Sequence, residues 1–145
     1  MADVKVIAGE IFQDQRGQLS SINNFRFTGV ERVYLIHHPD VRIVRGWNGH
    51  RLEKKWFYCI KGSFTLGLVK IDNWEQPSPD LKAQLYALSE YKSQIVCVPA
   101  GYANCIKAKC PGSVLMVFSS LLFSEAAADS WRYDSSLWVD WSKEQ

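Results

Sequence analysis

The residues most capable of chemistry in this chain cluster within eleven positions: Arg45, Asn48, His50 and Lys55. An imidazole can take or return a proton near neutral pH. The ammonium of Lys55, close in sequence, can steady a developing anion or pass on a proton, and the Arg45 guanidinium can grip an anionic group through two parallel hydrogen bonds. If a strand runs through 48–50, Asn48 and His50 point to the same side of it. Plainer roles stand beside each of these. Arg45 can serve a structural ion pair, His50 can be a hydrogen-bonded core histidine, and Lys55 can be a solvated strand end. His37 and His38 are adjacent, so on a strand they face opposite ways and make a poor shared metal site; before Pro39 they read as loop residues. The four cysteines, Cys59, Cys97, Cys105 and Cys110, form no C-x-x-C pair. They suggest neither a zinc site nor a disulfide framework.

The elements that must position these groups are strands. Short β-like runs recur at Val4–Ile7, Leu19–Phe25, Glu31–Ile36, Val41–Trp47, Lys55–Lys61, Phe64–Ile71, Lys82–Leu88, Gln94–Val98 and Ser113–Ser119, separated by Gly, Pro, Asn and Asp. Many strands at such intervals predict a sandwich, jelly roll or barrel. The only helix-prone stretch is Ser124–Asp129, with Ser124 as its expected N-cap. In Lys55–Ile60, Phe57 and Cys59 fall on one face and Trp56, Tyr58 and Ile60 on the other. Both faces therefore want cover, one from the barrel interior and one from the N-terminal strands or a second subunit. A homodimer is the expectation.

The bulk properties agree with this. A chain of 145 residues fits one domain over 1–145, and with 47% apolar residues, including six Trp, six Tyr and seven Phe, it can bury a sizeable core. A formal charge of +2 without a basic cluster gives no nucleic-acid footprint. No apolar run has the length of a membrane span, and Met1–Lys5 does not read as a signal peptide. A cytoplasmic location is expected.

Two segments are more specific. Val44-Arg45-Gly46-Trp47-Asn48-Gly49-His50, with a turn glycine, Gly62, twelve residues after His50, resembles the first cupin motif. Val98-Pro99-Ala100-Gly101-Tyr102-Ala103-Asn104 resembles the second. Within the cupins, the Arg-Gly opening and the P-x-G-Y-A segment are similar to the deoxythymidine-diphosphate-4-dehydrorhamnose 3,5-epimerases. The spacing of positions 48 and 50 is similar to that of the sugar 3,4-ketoisomerases, and Val69–Pro79 with Asp129–Trp138 resembles the small WxcM-like proteins grouped with them. The likeness spans about residues 10 to 141.

This resemblance implies an all-β, single-domain cupin jelly-roll barrel. It also implies action on, or binding of, a dTDP-4-keto-6-deoxyhexose in polysaccharide biosynthesis. The metal slots of the general cupin pattern hold Asn48, His50, Lys55 and Asn104 here. An amide pair and an ammonium do not make a divalent-cation site, and no metal or other cofactor is expected. The epimerase base position holds Asn48, which takes no proton near neutral pH, and the position of the usual Tyr acid aligns near Met116. Base duty then falls to His50, with Lys55 as electrostatic or proton partner, through an enediol. Arg45, Asn48, Tyr102 and Asn104 are the expected substrate-binding residues, with Arg45 on the nucleotide phosphates. The alternative is a cupin that binds a carbohydrate or sugar nucleotide without catalysis.

Overall fold

A computed structural model describes residues 3–144. Among these residues, twelve strands form two five-stranded antiparallel sheets and a separate hairpin. The first sheet orders β1 (Lys5–Ala8), β9 (Gln94–Val98), β6 (Lys55–Lys61), β11 (Ser113–Ser119) and β4 (Arg32–His38). The second orders β12 (Trp131–Arg132), β5 (Val44–His50), β10 (Tyr102–Ala108), β7 (Ser63–Lys70) and β8 (Gln84–Ser89). The hairpin is β2 (Glu10–Asp14) with β3 (Gly17–Ser21). The chain is thus the expected all-β jelly roll.

Alternation builds the interior. In β6, Lys55, Phe57 and Cys59 are buried while Trp56 and Tyr58 are half-exposed and Ile60 is exposed. In β11, Leu115 and Val117 point inward, and in β10 Tyr102 and Ile106 do. These side chains meet Phe64, Leu66 and Leu68 of β7 in one closed core. A second apolar layer lies outside the second sheet, where Trp47, Ala103, Cys105 and Val69 are covered by Tyr133, Leu137, Trp138 and Trp141. Trp47 anchors that cover by donating its indole N–H to the Leu137 carbonyl at 2.8 Å. The tail aromatics therefore clamp the barrel.

Some sequence expectations need correction. Strands β2 and β10 were not foreseen: β10 hides behind the Pro99–Gly101 turn, and β2 is exposed and only partly apolar. His37 and His38 are the last residues of β4 and not loop; as parity requires, His38 is buried and His37 exposed. The short helix, α1 (Phe123–Ala128), starts at Leu122 and places Ser124 inside its first turn. No side-chain oxygen caps it; Glu125 reaches back to the Leu122 N–H instead, at 3.1 Å. The outer faces of β6 and its neighbour β11 are partly covered by the chain's own segment, with Phe25 against Trp56 and Phe27 against Phe118.

Candidate functional site

The inward faces of β4, β5, β6 and β10 enclose a cavity of about 110 Å³ between the two sheets. Its polar lining is Tyr34, Arg45, Asn48, Lys55 and Asn104; Ile36, Phe57 and Ile106 form an apolar wall. Register explains the convergence. Asn104 stands opposite Asn48, Ile106 opposite Arg45, and Tyr102 opposite His50 in the β5–β10 pair, and opposed residues share a sheet face. A shift in register between Asn104 and Cys105 lets Arg45 join that face beside Gly46. A side chain at Gly46 would meet the Asn104 carbonyl at 2.6 Å, and its φ of 131° is one that glycine adopts readily.

His50 lies two residues along β5 from Asn48, 5% exposed. Its Nδ1 is 3.1 Å from the Asp129 carbonyl oxygen and 3.1 Å from Glu53 Oε1. Both neighbours are acceptors, so Nδ1 carries the proton. In the neutral ring, Nε2 then holds the free lone pair, and it is buried without a hydrogen-bond partner. This tautomer is the one a general base requires.

Glu53 follows from the turn that joins β5 to β6. Asp129 caps this turn: Oδ1 accepts the Arg51 N–H at 2.9 Å, and Oδ2 accepts those of Leu52 and Glu53 at 2.8 Å each. Glu53, fixed and fully buried, accepts from Arg32 Nη2 at 3.3 Å and from the Ser119 hydroxyl in a short contact. Burial alone pushes its carboxyl upward, but the His50 contact, the Lys55 charge and the Ser119 hydrogen bond outweigh that and hold it down to about 2. Glu53 is therefore an anion at neutral pH, held against the imidazole.

Lys55 is buried at 8% exposure, not solvated at a strand end. Its ammonium donates to the Tyr34 hydroxyl at 2.9 Å. An ammonium only donates, so the phenol oxygen accepts and its own O–H remains available to the cavity. Asn48 is oriented in turn by Ser130, whose hydroxyl donates to its Oδ1 at 3.1 Å, leaving the amide NH₂ to face other partners.

The structure thus brings Arg45, Asn48, Lys55 and Asn104 into one cavity wall. His50 is placed on the same strand face without lining the cavity. Tyr102 is in the apolar core across from His50, and burial pushes its phenol up. Met116 points out of the barrel into a surface groove with Phe25, Phe27 and Tyr58. The phenol in the cavity comes from a different strand, as Tyr34. Sequence reasoning missed Tyr34, Arg32, Glu53, Ser119 and Asp129. Parity in β4 puts Arg32, Tyr34 and Ile36 on one face, but only the pairing of β4 with β11 turns that face inward.

His50, Glu53 and Asp129 also bring potential metal-ligand atoms within 4.8 Å of one another. The donor set does not suit a cation. Both Asp129 oxygens already serve three backbone N–H groups, Glu53 is tied to Arg32 and Ser119, and the Lys55 charge acts on the same carboxylate.

Comparison with known proteins gives the family and the fold. The WxcM-like, C-terminal family (FdtA) matches residues 2–135. The chain belongs to this family. No curated protein matches its sequence. Among solved structures, the WxcM-like chain is similar to the 3,4-ketoisomerase QdtA from Thermoanaerobacterium thermosaccharolyticum. A mutant of QdtA in complex with TDP-4-keto-6-deoxyglucose matches at 24% identity and TM-score 0.71, covering 100% of this chain and 97% of that one. A double mutant in complex with TDP matches at 25% identity and TM-score 0.71, covering 99% and 96%. The rmlC epimerase of Mycobacterium tuberculosis matches at 21% identity and TM-score 0.76, covering 95% and 74%. The fold is the one shared by these ketoisomerase and epimerase structures.

Proposed function

We propose that this WxcM-like chain is a metal-independent 3,4-ketoisomerase of a dTDP-4-keto-6-deoxyhexose, working as a single cupin domain in the cytoplasm to supply polysaccharide assembly. The observation that carries this reading is the protonation geometry of His50. Its Nδ1 proton is directed at the Asp129 carbonyl with the Glu53 carboxylate alongside, and its Nε2 lone pair is buried and unpartnered.

In this mechanism the sugar reaches from the cavity past Asn48 to His50, two residues along the same strand face, and His50 Nε2 takes the proton from C3, next to the C4 ketone. The C3–H electrons become the C3=C4 double bond, and the carbonyl electrons move to O4, which takes a proton from Tyr34. Lys55 holds the Tyr34 oxygen and stabilises it once the proton has left. The enediol then collapses the other way: O3 gives its proton to the Tyr34 oxygen as the C3 carbonyl forms, and C4 takes one from the His50 imidazolium, which restores both groups. Atoms and electrons balance without a redox partner. Glu53 offsets the imidazolium that forms on His50, and Asn48 and Asn104 offer amide groups to the sugar hydroxyls. The apolar wall of Ile36, Phe57 and Ile106 suits a 6-methyl group.

The test is to incubate the protein with TDP-4-keto-6-deoxyglucose in D₂O and follow the sugar by NMR. Deuterium should appear at C4 of the 3-keto isomer and at C3 of the substrate re-formed by the reverse step, and His50→Asn should abolish both. Binding without any exchange would instead support the non-catalytic reading, which the amide at Asn48 favours.

The same proposal includes a homodimer. Val33, Leu35, Phe12 and Leu19 are 49–61% exposed, on the outward face of β4 and on a hairpin that belongs to neither large sheet. A two-stranded hairpin is marginal alone, and β4 is an edge strand. A second copy of the chain fits both features, because it offers the same apolar surface in return. Sedimentation should give twice the 16.6 kDa chain mass; a monomer at micromolar concentration refutes the dimer.

A further inference from the structure

A groove of about 420 Å³ adjoins the cavity and shares Arg45 and Asn48 with it. Its other wall comes from the C-terminal segment, as Arg132 and Tyr133. Strand pairing sets Arg132 there. Trp131 stands opposite Gly49 and Arg132 opposite Asn48. Trp131 turns outward onto Trp74, with ring centroids 5.7 Å apart. Its neighbour Arg132 therefore turns to the other side, the side of Asn48 and the cavity. No carboxylate lines the groove. Arg16, Arg32 and Arg42 are each paired with an acid, whereas Arg45 and Arg132 have no ion-pair partner among the described residues.

We propose that Arg132, together with Arg45, seats the diphosphate of the sugar nucleotide at the junction of groove and cavity. This inference rests on the sugar-nucleotide reading above and adds a binding residue from the C-terminal tail. Arg45 lines both spaces, so a sugar in the cavity would leave its diphosphate at this junction and its nucleoside in the groove. The diphosphate diester carries two negative charges, and two unpaired guanidiniums match them with planar forks of donors. The short β12 thus does more than close the sheet edge: it delivers the second cation.

Calorimetric titration of the full chain with TDP, inorganic pyrophosphate and thymidine tests the assignment. TDP and pyrophosphate should bind the unaltered protein, both more weakly as salt rises. Arg132→Gln should weaken both by about tenfold or more, the size expected for losing a charge-assisted contact, and leave thymidine binding unchanged. Arg132→Lys should recover only part of the loss, since an ammonium lacks the fork. Arg42→Gln, which removes an equal charge from a surface pair with Asp40, should bind like the unaltered chain. The assignment is overturned if Arg132→Gln stays within about twofold of the parent, if Arg42→Gln loses as much, or if the parent does not bind pyrophosphate. The two proposals fail separately: diphosphate binding that depends on Arg132 without deuterium exchange sinks only the isomerase reading, and exchange with unchanged KM in Arg132→Gln sinks only this one.

Discussion

Replacing Glu53 by Gln probes the centre of the site with a change of charge at nearly constant shape. The carboxyl is held from its usual value near 4.5 to about 2, and its side chain is 1% exposed, so water screens little of the effect. At about 1.4 kcal/mol per pH unit, the displaced titration corresponds to about 3 kcal/mol of folding stability. A depressed carboxyl contributes that stability fully above its unfolded value and loses it as the pH falls through the folded one. The unaltered protein should therefore lose about 3 kcal/mol between pH 5 and pH 2 from this group alone. Glu53→Gln should lose a similar amount already at pH 7, because the half-buried Arg32 and the buried Lys55 ammonium are left without their counter-charge. Urea titrations followed by tryptophan fluorescence at pH 7, 5 and 3 give the comparison. The gap between variant and parent should be widest at pH 7 and should narrow as Glu53 protonates in the parent. A gap below about 0.5 kcal/mol at pH 7, or one that does not change with pH, would falsify the claim that an ionised Glu53 organises the site.

The remaining predictions concern the residues around it. Tyr34→Phe should keep TDP-sugar binding within about threefold and lower turnover by about 10²–10⁴-fold in a product assay, since among the described residues the phenol hydrogen-bonds to Lys55 alone; unchanged turnover removes it as the acid. Asp129→Asn places an NH₂ group against backbone N–H donors at 51–53, and a thermal melt should report a loss of about 1–3 kcal/mol. Gly46→Ala should cost more than about 2 kcal/mol in the same assay, because the added carbon meets the Asn104 carbonyl at 2.6 Å. Limited alkylation with mass spectrometry should label Cys110 first: hydrogen bonds from Ser113 and Ser63 lower its thiol, whereas burial pushes Cys59 and Cys105 up to about 12.

What the sequence determined by itself follows from short-range rules. Alternating polarity and frequent turn residues specify strands, and their number and spacing specify a sandwich, jelly roll or barrel, because each strand must bury one face; the resemblance of two segments to the cupin motifs narrows this to a jelly roll. Parity alone puts Asn48 and His50 on one side of β5 and separates His37 from His38. The side-chain types at 45, 48, 50, 55 and 104 set what the cavity can do, an anion grip and proton transfer, and what it handles poorly, a divalent cation.

The tertiary structure decided which distant groups complete that chemistry. Asp129, Tyr34 and Ser119 meet near His50, Glu53 and Lys55 from separate parts of the chain, and no local pattern carries that information. Strand order places Tyr34 rather than Met116 inside, since the pairing of β4 and β11 sends Tyr34 inward and leaves Met116 outside the barrel. The Asp129 carbonyl that fixes the His50 tautomer comes from 79 residues away. Lys55 has the same cause: a lysine beginning a strand reads as solvated, and only the barrel closing around Tyr34 supplies the partner that lets its ammonium be buried.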